Sequence, residues 1–137
     1  MAISKPKILV VDDHPDSRVI LALAMEKWGY EVVEARNGKE AIAKIRTGDF
    51  DLVVLDIALP FNGWEVARTM KSNPRKKHIP ILAVTALDTA ECRKMCVDAG
   101  FNDFLPKPFS IDDLKAKVEA LLRKRSRQSG SRRNHSR

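Results

Sequence analysis

The sequence predicts one α/β domain: a five-stranded parallel sheet, doubly wound, with helices on both faces. Three observations carry this reading. Five short aliphatic and β-branched runs recur along the chain, each of a size that suits a strand buried on both faces. Between them lie segments with helical spacing and recognisable start signals. The chain has 137 residues, enough for one domain and cramped for two. Strands joined through helices run parallel, and right-handed crossovers distribute those helices over both faces.

Taken in order, the first run is Lys7–Val11, and Pro15 then fits a first helical turn, where its missing N–H costs nothing. Glu31–Ala35 is the second run. Asn37 with Glu40 has the N-cap and third-residue acid spacing of a helix start. Asp51–Leu55 is the third run, and Asn62 with Glu65 repeats the capping pattern. The fourth, Ile79–Val84, precedes Asp88 with Glu91, and the fifth, Asp103–Leu105, precedes Ser110 with Asp113. Gly29, Gly48 and Gly100 follow three of the helical segments, where a left-handed C-cap favours glycine. In the last helix Ile111, Leu114, Val118, Leu121 and Leu122 form one apolar stripe.

Composition excludes several classes. Apolar residues make up 44% and charged residues 31%, which suits a globular fold rather than disorder. Runs such as Ile8–Val11 and Leu52–Leu55 are far too short to cross a membrane, and Met1–Lys7 leads into no signal-peptide stretch. Two cysteines make no disulfide framework and fit a reducing cytosol, so a cytoplasmic location with no membrane contact is expected. Cys92 and Cys96 share a helical face and are read as buried or half-buried thiols. The formal net charge of +7 is local: every acidic residue lies at or before Glu119, and seven arginines and lysines follow Leu122. Residues 1–122 are therefore the folded domain with no net formal charge, and 123–137 a basic tail expected to be disordered. Nucleic-acid contact is conceivable through that tail alone.

In an open parallel sheet, ligands bind outside the carboxyl ends of the strands. The residues there are Asp12 and Asp13, Asp56, Thr85 and, after the fifth strand, Lys107. Clustered carboxylates repel one another unless a cation compensates them, and a hard divalent ion such as Mg²⁺ suits oxygen ligands. Carboxylates, Mg²⁺, a lysine and a hydroxyl together suit phosphoryl chemistry, with an aspartate as nucleophile.

Val10-Val11-Asp12-Asp13, Asp56-Ile57-Ala58-Leu59-Pro60 with Gly63, Val84-Thr85-Ala86 and Lys107-Pro108-Phe109 resemble the receiver domain of two-component response regulators, over residues 5–122. The resemblance implies the flavodoxin-like (βα)5 fold with strand order 2-1-3-4-5, a fold rule for which the family's chemotaxis member is a standard illustration. It implies that Asp56 accepts the phosphoryl group, that Asp12, Asp13, Asp56 and the Ala58 backbone carbonyl hold Mg²⁺, and that Thr85 is the switch hydroxyl with Lys107 as its cationic partner. Phe104 matches the aromatic coupled to the switch, and the Lys107–Pro108 bond is implied to be cis. The implied phosphodonor is a sensor histidine kinase or a histidine phosphotransfer protein, acting on a module that catalyses only its own phosphotransfer and dephosphorylation.

Small departures carry information. Leu59 stands where methionine is more usual, Asn62 fills a variable slot, and Phe104 lacks a tyrosine's hydroxyl. Ala58 and Leu87 occupy positions that influence loss of the phosphoryl group; neither can hold a water, which favours a long-lived phosphoform. A haloacid-dehalogenase-type phosphatase would need an acid at position 58, and a dinucleotide site would need glycines where Asp12-Asp13-His14-Pro15 stands. His14 is read as a helix start rather than a metal ligand, and Trp28 and Trp64 as packing residues. The expected function is a stand-alone receiver that switches a protein-binding surface around residues 88–99, 103–105 and 110–122. The alternative is a receiver from a larger hybrid kinase or regulator.

Overall fold

The computed structural model describes residues 5–57, 63–86 and 89–135. Strands β1 (Lys7–Val11), β2 (Glu31–Ala35), β3 (Leu52–Asp56), β4 (Ile81–Thr85) and β5 (Asp103–Pro106) alternate with helices α1 (Pro15–Lys27), α2 (Gly38–Thr47), α3 (Gly63–Lys71), α4 (Ala90–Ala99) and α5 (Ile111–His135). All pairings are parallel and the order is β2-β1-β3-β4-β5. The doubly wound architecture and the strand order implied by the family resemblance are both present.

Successive side chains on a strand point to opposite faces, and the core divides accordingly. Leu9, Val11, Val53, Leu55, Ile81 and Ala83 pack with Ala41, Ile45, Val66, Met70, Cys92 and Cys96 from α2, α3 and α4. Ile8, Val10, Leu52, Val54, Leu82 and Val84 pack with Leu21 and Met25 of α1 and Leu114, Val118 and Leu121 of α5. Strands β3 and β4 are buried along their whole length, which accounts for their unbroken apolar sequence. Trp28 and Trp64 both pack against these clusters. The cysteines are free and buried, and burial beside Cys92 pushes the Cys96 thiol up to about 12, an unreactive state.

The helix signals hold in part. Pro15 begins α1 behind His14 at the N-cap, Asn37 accepts from the Glu40 N–H at 2.8 Å, and Ser110 accepts from the Asp113 N–H at 3.0 Å. The Glu40 carboxylate turns instead to the Arg36 N–H and guanidinium. Helix α4 is capped by Thr89, which accepts from the Cys92 N–H at 3.0 Å; Asp88 and Asn62 lie outside the described residues. Gly29 and Gly100 adopt the expected positive φ, but Gly48 does not: its backbone is extended. Space explains glycine there, since a Cβ would sit 3.1 Å from the Phe50 ring and 3.2 Å from the Lys44 carbonyl oxygen.

Helix α5 is helical backbone as far as His135, in the segment where the sequence predicts a basic, disordered tail. Among the described side chains its apolar stripe ends near Leu121. Among the described residues no helix is long and apolar enough to cross a membrane.

Away from the carboxyl edge, α4 is firmly tied down. Gly100 caps it through bonds to the Cys96 and Val97 carbonyls, and Asn102 exchanges bonds with Ile81, giving N–H to its carbonyl and accepting its N–H. The Lys71 ammonium, at the end of α3, donates to the Lys77 and Ile79 carbonyls and to Asn102 Oδ1. Burial lowers its pKa from the usual lysine value.

Candidate functional site

Three polar residues are buried among the described residues: Asp12, Asp56 and Thr85. All three stand at the carboxyl ends of neighbouring strands, so the sheet order brings them to one edge. Burying polar groups is costly unless they are paired. The pairing here is incomplete.

Asp12 leaves β1 with its N–H on the Ala35 carbonyl at 3.1 Å, while its Oδ1 accepts from the His14 N–H at 2.9 Å. Asp56 ends β3, and its Oδ2 lies 2.7 Å from the ammonium of Lys107. Asp12 Oδ2 and Asp56 Oδ1 are buried and accept no hydrogen bond among the described residues. Burial is the main cause that raises the Asp12 pKa; the His14 N–H opposes it, the Asp56 charge adds to it, and Lys107 offsets it. The Thr85 hydroxyl ends β4 and donates to the Ile57 carbonyl at 2.8 Å. The Lys107 backbone N–H donates to the Thr85 carbonyl at 2.8 Å, which fixes the lysine beside β4. The Lys107–Pro108 bond is cis.

Of the anticipated site, the strands therefore bring together Asp12, Asp56, Thr85 and Lys107. Asp13 lies exposed at the rim, acting on Asp12 through its charge. No three His, Cys, Asp or Glu side chains form a ready metal cluster among the described residues. Ala58, Leu59, Asn62 and Leu87 lie outside those residues. Phe104 pairs in register with Ala83, two residues before Thr85, so it shares the α4 side of the sheet with that hydroxyl. Its ring lies 4.8 Å from the Arg93 guanidinium. His14 is a helix cap whose backbone supports Asp12. One participant was not anticipated: Arg18, on α1, donates from its guanidinium to the Asp12 carbonyl at 3.0 Å. The signal for it was an arginine one helical turn past His14.

Residues 8–119 match the family model described as the response regulator receiver domain. The chain belongs to that family. The receiver is 40% identical to the transcriptional regulatory protein CusR of Escherichia coli K12 over 119 residues, which is 86% of this chain and 52% of that protein. It is 40% identical to the response regulator MprA of Mycolicibacterium vanbaalenii, over 91% of this chain and 54% of that one. The receiver thus spans about half the length of these curated relatives. Among solved structures, a CheY-like receiver domain from Methanospirillum hungatei superimposes with a TM-score of 0.85 at 28% identity, covering 91% of this chain and 99% of that one. The response regulator TrrA of Thermotoga maritima, solved in complex with Mg²⁺–BeF, gives 0.75 at 37% identity, covering 85% and 98%.

Proposed function

We propose that this receiver accepts a phosphoryl group on Asp56 from a phosphohistidine, on a sensor histidine kinase or a histidine phosphotransfer protein. The observation that carries the reading is the half-paired buried carboxylate of Asp56. One oxygen is held by Lys107, and the other is buried, unpartnered among the described residues and beside a second buried acid. A carboxylate held in that way is a nucleophile with its geometry already set.

The donor set suits a hard divalent cation. The unpartnered oxygens of Asp12 and Asp56 are hard ligands, and a few carboxylates completed by water and phosphoryl oxygens fit Mg²⁺ better than a closed cage would. Asp12, Asp13, Asp56 and the Ala58 carbonyl would hold it. When bound, the ion would neutralise charge on the acids and on the incoming phosphoryl oxygens.

The rest belongs to the chain's own side chains. An Asp56 oxygen attacks phosphorus, the P–N bond to the donor imidazole breaks, and an acyl phosphate forms. The Lys107 ammonium exchanges its carboxylate partner for a phosphoryl oxygen. The Thr85 hydroxyl leaves the Ile57 carbonyl to donate to the same group. The phosphoform thereby favours one arrangement of β4, α4, β5 and α5, with Phe104 responding on the same side of the sheet. Ala58 and Leu87 offer no side chain to orient a water, which favours a persistent phosphoform. The output is a partner-binding surface, read by a separate target or, as the names of the full-length relatives suggest, by a transcriptional output unit.

Acetyl phosphate labelling with Mg²⁺ tests the assignment. The parent chain should acquire an acid-stable, hydroxylamine-sensitive phosphoryl group, and Asp56→Asn should acquire none. Full labelling of the variant, or undiminished labelling of the parent in excess chelator, would refute it.

A further inference from the structure

We propose that Arg18 is a positioning residue for the acidic loop, a latch that orders the Asp12–Asp13 peptide before any cation arrives. The inference rests on the receiver reading above and adds a residue to it.

Arg18 sits one turn into α1, its own N–H bonded to the His14 carbonyl at 3.0 Å. Its guanidinium grips two elements at once. One nitrogen donates to the Asp12 carbonyl and Nε donates to Glu34 Oε1, each at 3.0 Å. The Arg18 side chain is only 13% exposed, whereas Arg36 in its ion pair with Glu40 is 72% exposed. The arginine end of the latch is therefore set into the surface, while its Glu34 partner is 42% exposed. The Glu34 backbone is held as well, because the Lys44 ammonium donates to its main-chain carbonyl at 2.8 Å. Glu34 belongs to the edge strand β2, so Arg18 ties α1 to β2 across the loop that carries the acids.

The effect on Asp12 is full constraint. Its N–H is bound to Ala35, its carbonyl to Arg18 and its Oδ1 to His14, which leaves Oδ2 as the free acceptor. Asp13 is the next residue along and exposed, so its placement depends on the peptide that Arg18 holds. Groups that orient metal ligands without touching the metal typically carry about 10- to 100-fold of the affinity. Only arginine supplies two donors in a fixed fork; a lysine can satisfy either acceptor but not both in that geometry.

The test is Mn²⁺ titration of the full chain, with free ion followed by electron paramagnetic resonance and folding checked by urea unfolding. Arg18→Ala and Arg18→Lys should each weaken Mn²⁺ binding about tenfold. Glu34→Ala should weaken it about threefold and be non-additive with Arg18→Ala, because both variants open one latch. Glu34→Gln keeps an oxygen acceptor for Nε and should bind as the parent does. A folded Arg18→Ala chain that binds Mn²⁺ within about twofold of the parent overturns the inference. If Arg18→Ala fails to fold, parental affinity in both Arg18→Lys and Glu34→Ala overturns it equally. A parent that binds no Mn²⁺ overturns the receiver reading and this inference with it. Tight parental binding with unmoved variants overturns this inference alone.

Discussion

Replacing Lys107 with methionine keeps a long side chain and deletes its charge. The ammonium lies 2.7 Å from an Asp56 side chain that is 7% exposed, while the lysine itself remains 28% exposed. An exposed ion pair contributes up to about 1 kcal/mol, and removing one partner of a fully buried pair costs about 3–5 kcal/mol. A buried acid facing a lysine that still touches water falls between these limits, so Lys107→Met should cost about 2 kcal/mol near pH 7.5. A second effect fixes the pH dependence. Lys107 offsets the burial and the Asp56 charge that raise the Asp12 pKa, so its loss should raise that pKa further. A carboxylate whose folded pKa lies above its unfolded value favours folding below the unfolded value, and this contribution is lost as pH rises through the folded one. The variant should therefore recover relative to the parent as pH falls from 7.5 through the raised Asp12 pKa toward the ordinary carboxylate range. Mg²⁺ bound to the same acids should also restore stability, by about 1.4 kcal/mol at ten times its Kd. Urea unfolding followed by circular dichroism, at three pH values with and without Mg²⁺, measures all of this. A variant as stable as the parent at pH 7.5 without Mg²⁺, or a deficit that widens on acidification, would refute the reasoning.

Thr85→Ala should cost about 1–2 kcal/mol for the bond lost to the Ile57 carbonyl. It should still be labelled on Asp56, yet lose the phosphorylation-dependent change in amide exchange across α4 and β5; a change equal to the parent's would place the switch elsewhere. Gly100→Ala should cost about 2 kcal/mol or more, because φ is +94° and the new Cβ would meet Lys71 Cγ at 2.7 Å. A urea midpoint equal to the parent's would show that the Lys71 side chain yields without loss. Truncation after Leu122 should leave stability and labelling intact while removing helical ellipticity for the residues from Arg123 to the end of α5. Any affinity for duplex DNA that weakens with salt should vanish with the tail, and a melting temperature lowered by many degrees would show that the extension packs on the domain.

The sheet and the acidic edge were legible because both rest on strong local patterns. Buried parallel strands must be continuously apolar, so Leu52–Leu55 stands out, and a charged residue closing such a run, as Asp56 does, has few reasons to be there. Capping was less legible, since several polar residues near a helix start compete for one amide. Thr89 serves Cys92, whereas the motif pointed one residue earlier. Gly48 was misread because glycine answers two different demands, a positive φ or an absent Cβ, and only the packing of Phe50 says which. Arg18 escaped notice because its partners, the Asp12 carbonyl and the Glu34 carboxylate, come from different strands. The Glu34 contact, 16 residues away, leaves no local spacing in the sequence.

The anchoring of α4 at one end has a mechanical consequence. Its last turn is held by Gly100, Asn102 and Lys71, while its first residue follows Thr85 by only five positions. A ten-residue helix is about 15 Å long, so a rotation of about 10° about the anchored end carries the other end through about 2.6 Å. The fixed base acts as a fulcrum and the helix as its lever arm. A small displacement at the sheet edge would thereby be geared up toward the free end of the helix, where Ala90 and Glu91 stand exposed, while Met95 and Val97, close to the fulcrum, would move by about 1 Å or less.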